Sequence, residues 1–442
     1  MRDIVLVLVL IYLMIKALRH LEYGAYLWTW LSLMNPHRMT YGFAFSVPWA
    51  MISAAISLIT LPLSKERKPL PINGGVVTLM LLWAWMSVTS IFSINPPDLV
   101  LERWIFVSKI ILMLLLMMMM LRGREQIDRL VWVVVLSVGF FAVKGGIFTI
   151  ATGGSSKVWG PPGSMLEENN ALAVATIMLL PLVYYLRETA ARRWVRLLLG
   201  TCMVLMIASA LGSQSRGALI ALLAMALFLG AKSKHPFRFT LGLVLVLAVA
   251  IAFMPDSWTA RMETIRDHQE EGSAMSRIYT WRTLLNVAMD RPLVGAGFRA
   301  DNLEVFARYA PQDPQFAGFA GLAWVAHSIY MQALGEHGFV GLALFVSIWI
   351  WLWFAASRMA REAAEVPELK DWMPLLLRMC QVSTIGYCVG GAFLSLMNVD
   401  LPYYLLIFVT LCRCQLQDSK ARAASPARRA ADGRALGLSG VK

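Results

Sequence analysis

Residues 324–342, WVAHSIYMQALGEHGFVGL, decide the fold, because a polar segment gives way there to an apolar run. The stretch holds two of the six histidines, His327 and His337, together with a tyrosine and Glu336. The apolar run that follows covers 338–357, which is long enough for a helix to cross the hydrocarbon core of a bilayer. The pattern indicates a membrane span with polar chemistry gathered at its mouth.

The same kind of apolar run recurs along the chain. Of the 442 residues, 58% are hydrophobic and only 15% are charged, whereas a soluble domain carries about 25% charged residues. A backbone in lipid must satisfy its own hydrogen bonds, so each run is predicted to be a helix. The runs cover 4–18, 22–35, 46–63, 75–94, 104–121, 130–151, 170–186, 195–212, 217–231, 238–255, 338–357, 374–396 and 401–415. The sequence therefore predicts an all-α, polytopic membrane protein.

The positions of the basic residues, which give a net charge of +13, indicate how the chain is oriented in the membrane. Short loops rich in lysine and arginine stay on the cytoplasmic side of a membrane, which accounts for the charge without nucleic acid. The basic loops are 64–74, 122–129, 187–196, 232–238, 358–373 and the tail after 415. With these in the cytoplasm, we expect twelve spans if the N-terminal piece crosses once, and thirteen if residues 22–35 cross as well rather than lie at the interface.

Two smaller features exclude other classes of protein. The five cysteines all lie in or beside apolar runs, which favours small core residues over a disulfide framework or a metal site. The N-terminal run lacks a cleavage site of small residues, so we interpret it as a retained span and not a signal peptide.

The chain divides into four parts. Residues 1–255 are predicted to form the N-terminal transmembrane helices, 256–337 a large external loop with catalytic residues, and 338–415 the C-terminal transmembrane helices. Residues 416–442 are basic and poor in apolar residues, so we predict a disordered cytoplasmic tail. Loops as long as the external one are usually functional or folded, and we predict helices within it at 276–289 and 302–309.

The external loop has seven arginines and no lysine. A planar, bidentate guanidinium suits phosphate or carboxylate geometry better than an ammonium does. The alternative is ion pairing with the acidic residues of the same loop. Arg277 and Arg282 are the strongest candidates for binding an anion, because SRIYTWR places Tyr279 and Trp281 between them as an aromatic platform.

A further basic residue, Arg216, lies in the stretch GSQSRGA at 212–218, at the external end of two spans. An arginine at membrane depth is costly unless it is paired or functional. We predict a phosphate contact from the membrane side, supported by Gln214. The alternative is that the side chain snorkels to the interface.

Several side chains around 327–337 carry groups for acid–base chemistry. A histidine titrates near pH 6.5 and can act as a general base, and we predict this role for His337. His327 and Tyr330 share one predicted helical face, while Glu336 points to the opposite side, and these three are supporting candidates. A zinc site from the two histidines and Glu336 is the alternative, but the three do not share a face and HExxH is absent.

Two glycine-rich loops complete the external side. The turn GAGF at 295–298 is short enough to let backbone approach a ligand, although a lone GxG of this kind is weak evidence. The loop 152–169 leads into a span through two glutamates and two asparagines, and it either closes the external site or forms a simple turn.

Three motifs together resemble the O-antigen ligase and polymerase family of bacterial envelopes. They are SQSRGA at the end of a span, SRIYTW followed by DRPLVGAGF, and AHSIYMQALGEHGFVGL leading into another span. The resemblance covers roughly residues 160–400, and the O-antigen ligases are the most similar members. AHSIY has Ser328 where many relatives carry asparagine, which leaves the role of that position open.

The resemblance implies a GT-C-like, metal-independent glycosyltransferase without a cofactor in the bacterial inner membrane, with its active site facing the periplasm. Such an enzyme takes a glycan from undecaprenyl diphosphate and transfers it to a sugar hydroxyl of the lipid A core, with inversion at the anomeric carbon. Arg216, Arg277 and Arg282 would hold the diphosphate, and His337 would activate the acceptor hydroxyl.

Two alternatives remain. The first is an O-antigen polymerase or a protein O-oligosaccharyltransferase that uses the same donor. The second is a transporter of lipid-linked glycans, suggested by cations within the spans at Lys109, Lys144 and Arg378.

Overall fold

The computed structural model describes residues 2–232 and 272–437, and these residues contain helices and no β-strand. In chain order the α-helices are α1 Arg2–Arg19, α2 Leu21–Met34, α3 Trp49–Leu63, α4 Gly74–Ile91, α5 Pro97–Met120, α6 Arg124–Ala151, α7 Asn169–Thr189, α8 Arg193–Gly212, α9 Arg216–Lys232, α10 Gly272–Asp290, α11 Leu303–Tyr309, α12 Ile329–Ala364, α13 Met373–Gly390 and α14 Tyr403–Gly437. Short 3-10 helices cover Pro36–Met39, Phe43–Phe45, Pro314–Phe319 and Gly391–Phe393. The prediction of an all-α chain is confirmed for this part.

Five of the described helices are long and apolar enough to cross a membrane: α4, α6, α7, α8 and α12. Two shorter apolar helices, α3 and α9, accompany them. The chain is therefore a helical protein with several candidate membrane spans. The predicted run at 238–255 lies outside the described residues, and the number of twelve spans stays a prediction.

The core is built around α7, which packs against α6, α8, α9 and α13. Nearly nine tenths of its most apolar window is buried inside the protein. This central position explains why Asn169, at its first residue, is fixed at the end of the bundle: its amide donates a 2.8 Å hydrogen bond to the Ser213 carbonyl. The ends of α7, α8 and α9 thereby meet at one place.

The external loop is described from residue 272 onward, and both helices predicted within it are confirmed, as α10 and α11. Helix α10 packs against α12. Tyr279 is only 3% exposed and lies among the rings of Phe306, Phe316 and Phe319. The prediction of Tyr279 as part of an open aromatic platform is therefore wrong, because the loop needs an aromatic core of its own.

The tail does not follow the sequence-based expectation. Helix α14 continues to Gly437, where we predicted disorder from residue 416. Alanine and arginine dominate this part of the sequence, and both have high intrinsic helix propensity. All five cysteines are free, as expected for core residues.

Candidate active site

Helix α12 is broken at Gly338, the residue at which we placed the start of the span. Its φ of 68° and ψ of −171° are outside the helical region. The turn at 295–298 fits into this break: the amides of Ala296 and Gly297 donate to the carbonyls of Gly335 and Glu336, at 2.8 and 2.9 Å. The glycines of GAGF thus let the turn approach the backbone of α12. The amides of Ala296 and Gly297 bind this backbone and not a ligand, contrary to the expectation from the sequence.

A cavity of about 370 Å³ lies where α7, α8, α9 and α10 come together, and we call it the cationic cavity. Its charged lining consists of Lys157, Arg216, Arg277 and Glu168, with His327 as a further titratable group. Among the described residues, three cations line the cavity against one carboxylate, so this part of the lining is net positive. It is therefore suited to an anionic ligand with more than one charged oxygen.

Arg216 and Arg277 reach this cavity from two different helices. Arg216 is the first residue of α9, and Arg277 lies in the second turn of α10. Both side chains are half-buried, and both are engaged in interactions within the protein. The sequence led us to expect that Arg216, Arg277 and His337 would surround one cavity. The two arginines line this cavity and His337 does not, and the binding of diphosphate by the arginines stays a prediction.

The loop 152–169 forms one wall of the cationic cavity. Lys157, Trp159 and Glu168 from this loop line it. Gln214, with φ of 56°, ties the loop to the end of α8 by a 3.2 Å hydrogen bond from its side-chain amide to the Gly154 carbonyl. Of the two interpretations of this loop, the structure agrees with the one in which the loop closes the external site. The Gln214 hydrogen bond helps to hold the loop in this position.

His327 lies in the cationic cavity and not on α12, which begins only at Ile329. Its φ of 44° is in the left-handed region, which is unusual for a non-glycine residue and is a conformation found at functional sites. The predicted common helical face of His327 and Tyr330 is therefore wrong. Ser328 has a clear local role instead, since its hydroxyl caps α12 by accepting from the Met331 amide at 3.4 Å.

The electrostatic surroundings of His327 favour a neutral ring. Burial, and next the nearby Arg277 guanidinium, hold the pKa of His327 below its ordinary value, whereas Glu168 acts in the opposite direction. A neutral imidazole at pH 7 has one nitrogen that can accept a proton. His327 therefore lies beside the two arginines and, with a neutral ring, can act as a general base.

His337 is in a different position. Its side chain is fully buried, its Nδ1 lies 2.7 Å from the Thr89 hydroxyl, and its ring packs edge-on against Phe298 at 4.7 Å. It lines neither of the two polar cavities on this side of the protein. The predicted role of His337 as general base therefore has no support in its placement.

Glu336 lines a second cavity of about 240 Å³, which we call the mixed-charge cavity. The carboxylate is 6% exposed and accepts from the Arg299 amide at 3.2 Å and from the Gln332 side chain at 3.3 Å. Arg103 and Asp301 also line this cavity. The supporting role predicted for Glu336 therefore belongs to this space and not to the cationic cavity.

Two further predicted residues lie outside both cavities. Arg282 pairs with Asp313 at 3.1 Å and lies over the Phe316 ring, on the exposed side of α10. Tyr330 donates its hydroxyl to the Cys388 carbonyl at 2.9 Å. Arg282 lies five residues after Arg277 on α10, and its side chain projects away from the cavity. The binding of diphosphate by Arg282 therefore stays a prediction that no contact supports.

The ion-pairing alternative is confirmed for some arginines of the external loop. Arg299 lies 3.3 Å from Asp301, and Arg308 lies 4.0 Å from Asp290. Arg291 instead donates to backbone carbonyls, at 2.7 Å for Gly295. Arg261 and Arg266 lie outside the described residues.

The zinc alternative gains nothing from the geometry. Within residues 2–232 and 272–437, no group of three or more His, Cys, Asp or Glu side chains is arranged to hold a metal ion. His327 and Glu336 lie in different cavities, and His337 lies in neither.

Sequence reasoning missed several lining residues. Lys157 and Trp159 stand in the glycine-rich loop that we noted, and a lysine and a tryptophan there were an available signal. Arg103 stands beside an apolar run, and only its neighbours in space distinguish it from an interfacial cation.

Comparison with known families gives two matches. Residues 201–346 match the family model for O-antigen ligase, and this segment includes Arg216, Arg277 and His327. Residues 1–191 match a family of unknown function, DUF5935. No curated protein matches the chain significantly.

Proposed function

We propose that this chain, a member of the O-antigen ligase family through residues 201–346, transfers a glycan from undecaprenyl diphosphate to a sugar hydroxyl of the lipid A core. The reaction would take place at the periplasmic face of the bacterial inner membrane. The family match supports a glycosyltransferase of the ligase and polymerase superfamily. The particular donor, acceptor and compartment belong to the proposal.

One observation carries the proposal. Arg216, Arg277 and His327 are far apart in the sequence, yet all three line the cationic cavity. A diphosphate needs bidentate cations, and a glycosyl acceptor needs a base within reach of the same point. Helix α8 ends and helix α9 begins at this cavity. A diphosphate bound there can therefore keep its lipid tail in the bilayer.

The chemical step follows from these groups. The acceptor oxygen attacks the anomeric carbon, the bond from that carbon to the phosphate oxygen breaks, and its electron pair leaves with the diphosphate. His327 takes the proton of the acceptor hydroxyl. Arg216 and Arg277 stabilise the negative charge that develops on the leaving diphosphate, and direct displacement inverts the configuration.

This assignment moves the base from His337 to His327. A general base must lie within hydrogen-bond reach of the proton that it accepts. His327 lines the cavity that holds the arginines, whereas His337 is fully buried beside Thr89. We therefore expect His337 to support the kink of α12 and not to touch substrate.

The test uses the full chain in nanodiscs with chelator, an undecaprenyl-diphosphate-linked glycan and a lipid A core acceptor. We expect the wild type to transfer glycan, and His327→Ala to abolish transfer while still binding the donor. Retention of transfer by His327→Ala would overturn the assignment of the base.

Extensions of this assay separate the alternative functions. Elongation of the carrier-linked glycan without transfer to the core would indicate a polymerase, and transfer to an added protein acceptor would indicate an O-oligosaccharyltransferase. In sealed vesicles, movement of intact donor across the bilayer without covalent transfer would favour a transporter.

A further inference from the structure

The mixed-charge cavity lies directly beside the cationic cavity. Ala326 lines the first and His327 the second, and the same alternation is found at Ser395 and Leu394 on the facing segment. The His327 amide donates to the Ser395 hydroxyl at 2.8 Å, which joins the two segments. The wall between the cavities is therefore a single layer of chain.

The two cavities differ in charge. The mixed-charge cavity has Arg103 and Arg299 against Asp301 and Glu336, so its formal charges cancel. The cationic cavity has an excess of two positive charges. An anion is attracted to the second cavity, whereas the first has many donors and acceptors and no net charge.

One buried group points to a ligand in the mixed-charge cavity. Gln332 is 7% exposed, and its side-chain carbonyl oxygen has no hydrogen-bond partner among the described residues. The amide nitrogen of the same side chain is used by Glu336. Leaving a buried acceptor without a donor is costly. This oxygen is itself covered, but the Gln332 side chain lines the cavity, so a turn of its amide would present the oxygen to a hydroxyl donor there.

The remaining lining fits a sugar ring. Trp324 is 38% exposed and offers an aromatic face, and Leu284 and Met165 add apolar surface. Pockets that combine apolar and aromatic walls with a few placed polar groups are typical binding sites for small organic ligands. At about 30 Å³ per water, the 240 Å³ cavity has room for roughly eight waters, which suits one ring and not an oligosaccharide.

We propose that the mixed-charge cavity is the acceptor subsite and that it takes one uncharged, hydroxyl-bearing sugar residue, held by Gln332 and Glu336 and covered by Trp324. The proposal rests on the proposed glycosyl transfer, and it names the acceptor side of that site. Transfer then requires a hydroxyl of this sugar to reach His327 past the single layer of chain between the two cavities, formed at residues 326–327 and 394–395. A sugar carrying phosphate or carboxylate suits this cavity less well, because the carboxyl groups of Asp301 and Glu336 line it.

The first test measures binding directly, without turnover. Saturation-transfer NMR on the full chain in nanodiscs would use a panel of neutral methyl hexosides and deoxyhexosides, with methyl glucuronoside and a hexose 6-phosphate as charged competitors. We expect the neutral glycosides to give a signal that depends on Gln332 and Trp324, whereas any signal from the charged sugars, which the cationic cavity attracts, should not depend on these two residues. Gln332→Leu and Trp324→Ala should clearly weaken the neutral-glycoside signal, whereas Gln312→Leu and Trp194→Ala, at exposed positions, should keep it.

The second test measures transfer with two separate readouts. Gln332→Leu should raise the acceptor KM roughly three- to tenfold, as expected for the loss of a hydrogen bond, with the affinity for undecaprenyl diphosphate unchanged. Absence of glycoside binding by the wild type, or an unchanged acceptor KM in Gln332→Leu, would overturn the subsite and leave the proposed function intact. Glycoside binding without any glycan transfer would overturn the proposed function and leave the subsite standing.

Discussion

The backbone amide of His327 donates a 2.8 Å hydrogen bond to the Ser395 hydroxyl. His327 has a left-handed φ, and Ser395 lies in the segment that follows α13 in the chain. The bond therefore holds a strained residue against a segment that is distant in sequence. It also joins the two chain segments that separate the cationic and mixed-charge cavities. Five predictions follow from this arrangement and its neighbours.

Ser395→Ala removes the acceptor of this bond. We expect kcat for glycan transfer to fall about fivefold, the equivalent of roughly 1 kcal/mol for one hydrogen bond, because His327 loses its anchor. Donor affinity should stay unchanged, since the arginines are untouched. Ser347→Ala is the matched control, because that exposed hydroxyl bonds only to its own helix at Ala343. Equal loss of activity in both variants would contradict the anchoring role.

Arg216→Lys and Arg277→Lys keep the positive charge but lose the planar fork. We expect each to weaken binding of undecaprenyl diphosphate roughly tenfold, because a lysine cannot hold two phosphate oxygens in the same way. Isothermal titration with undecaprenyl diphosphate in nanodiscs measures this. Arg282→Lys, on the exposed side of α10, should bind like the wild type. Weakening of the same size in Arg282→Lys would restore the sequence-based expectation for that residue.

The pH profile of transfer should report His327. Its pKa is held below the ordinary value, so the neutral base persists to lower pH, and the acid limb of kcat/KM should lie below pH 6.5. Arg277→Ala removes a positive neighbour and should move the limb to higher pH. Glu168→Gln removes a negative neighbour and should move the limb to lower pH. A limb that responds to neither change would show that another group is titrating.

Thr89→Val removes the hydroxyl beside His337 with little change of shape. A buried ring nitrogen then loses its partner, which costs about 1–3 kcal/mol of stability. We expect a lower midpoint of thermal unfolding, with transfer per folded molecule retained. Thr78→Val is the control, since within the described residues the hydroxyl of the half-buried Thr78 bonds only to the Gly74 carbonyl of its own helix. A loss of kcat in Thr89→Val at full folding would return a catalytic role to His337.

Gly338→Ala tests the break in α12. An added Cβ would lie 2.3 Å from the Leu293 carbonyl oxygen, and the left-handed φ adds strain of about 1–3 kcal/mol. We expect a clear fall in the unfolding midpoint and loss of the pairing with the turn at 295–298. Gly318→Ala meets no atom within 4 Å and should unfold like the wild type. Equal stability of the two variants would mean that the kink tolerates a side chain.

Some of the candidate site could be predicted from residue chemistry alone. Arg216 stood out because an arginine at membrane depth is costly unless it is paired or functional. Arg277 stood out because its loop contains arginines and no lysine, which favours bidentate binding of an anion. The choice between His327 and His337 could not be made in this way. The two residues are ten positions apart in one polar stretch, and their chemistry is the same.

The sequence by itself determined the helical class of this protein, its candidate membrane spans and the helices at 276–289 and 302–309, since each depends on local composition and periodicity. The break of α12 at Gly338 was found only in the structure, where the turn at 295–298 docks against it. Tertiary structure alone decided which histidine meets the arginines. His327 precedes α12 in a left-handed conformation and faces the ends of α8 and α9, whereas His337 is turned into the core against Thr89. Helical periodicity describes the faces of one element, but contacts between elements far apart in the chain depend on how those elements pack.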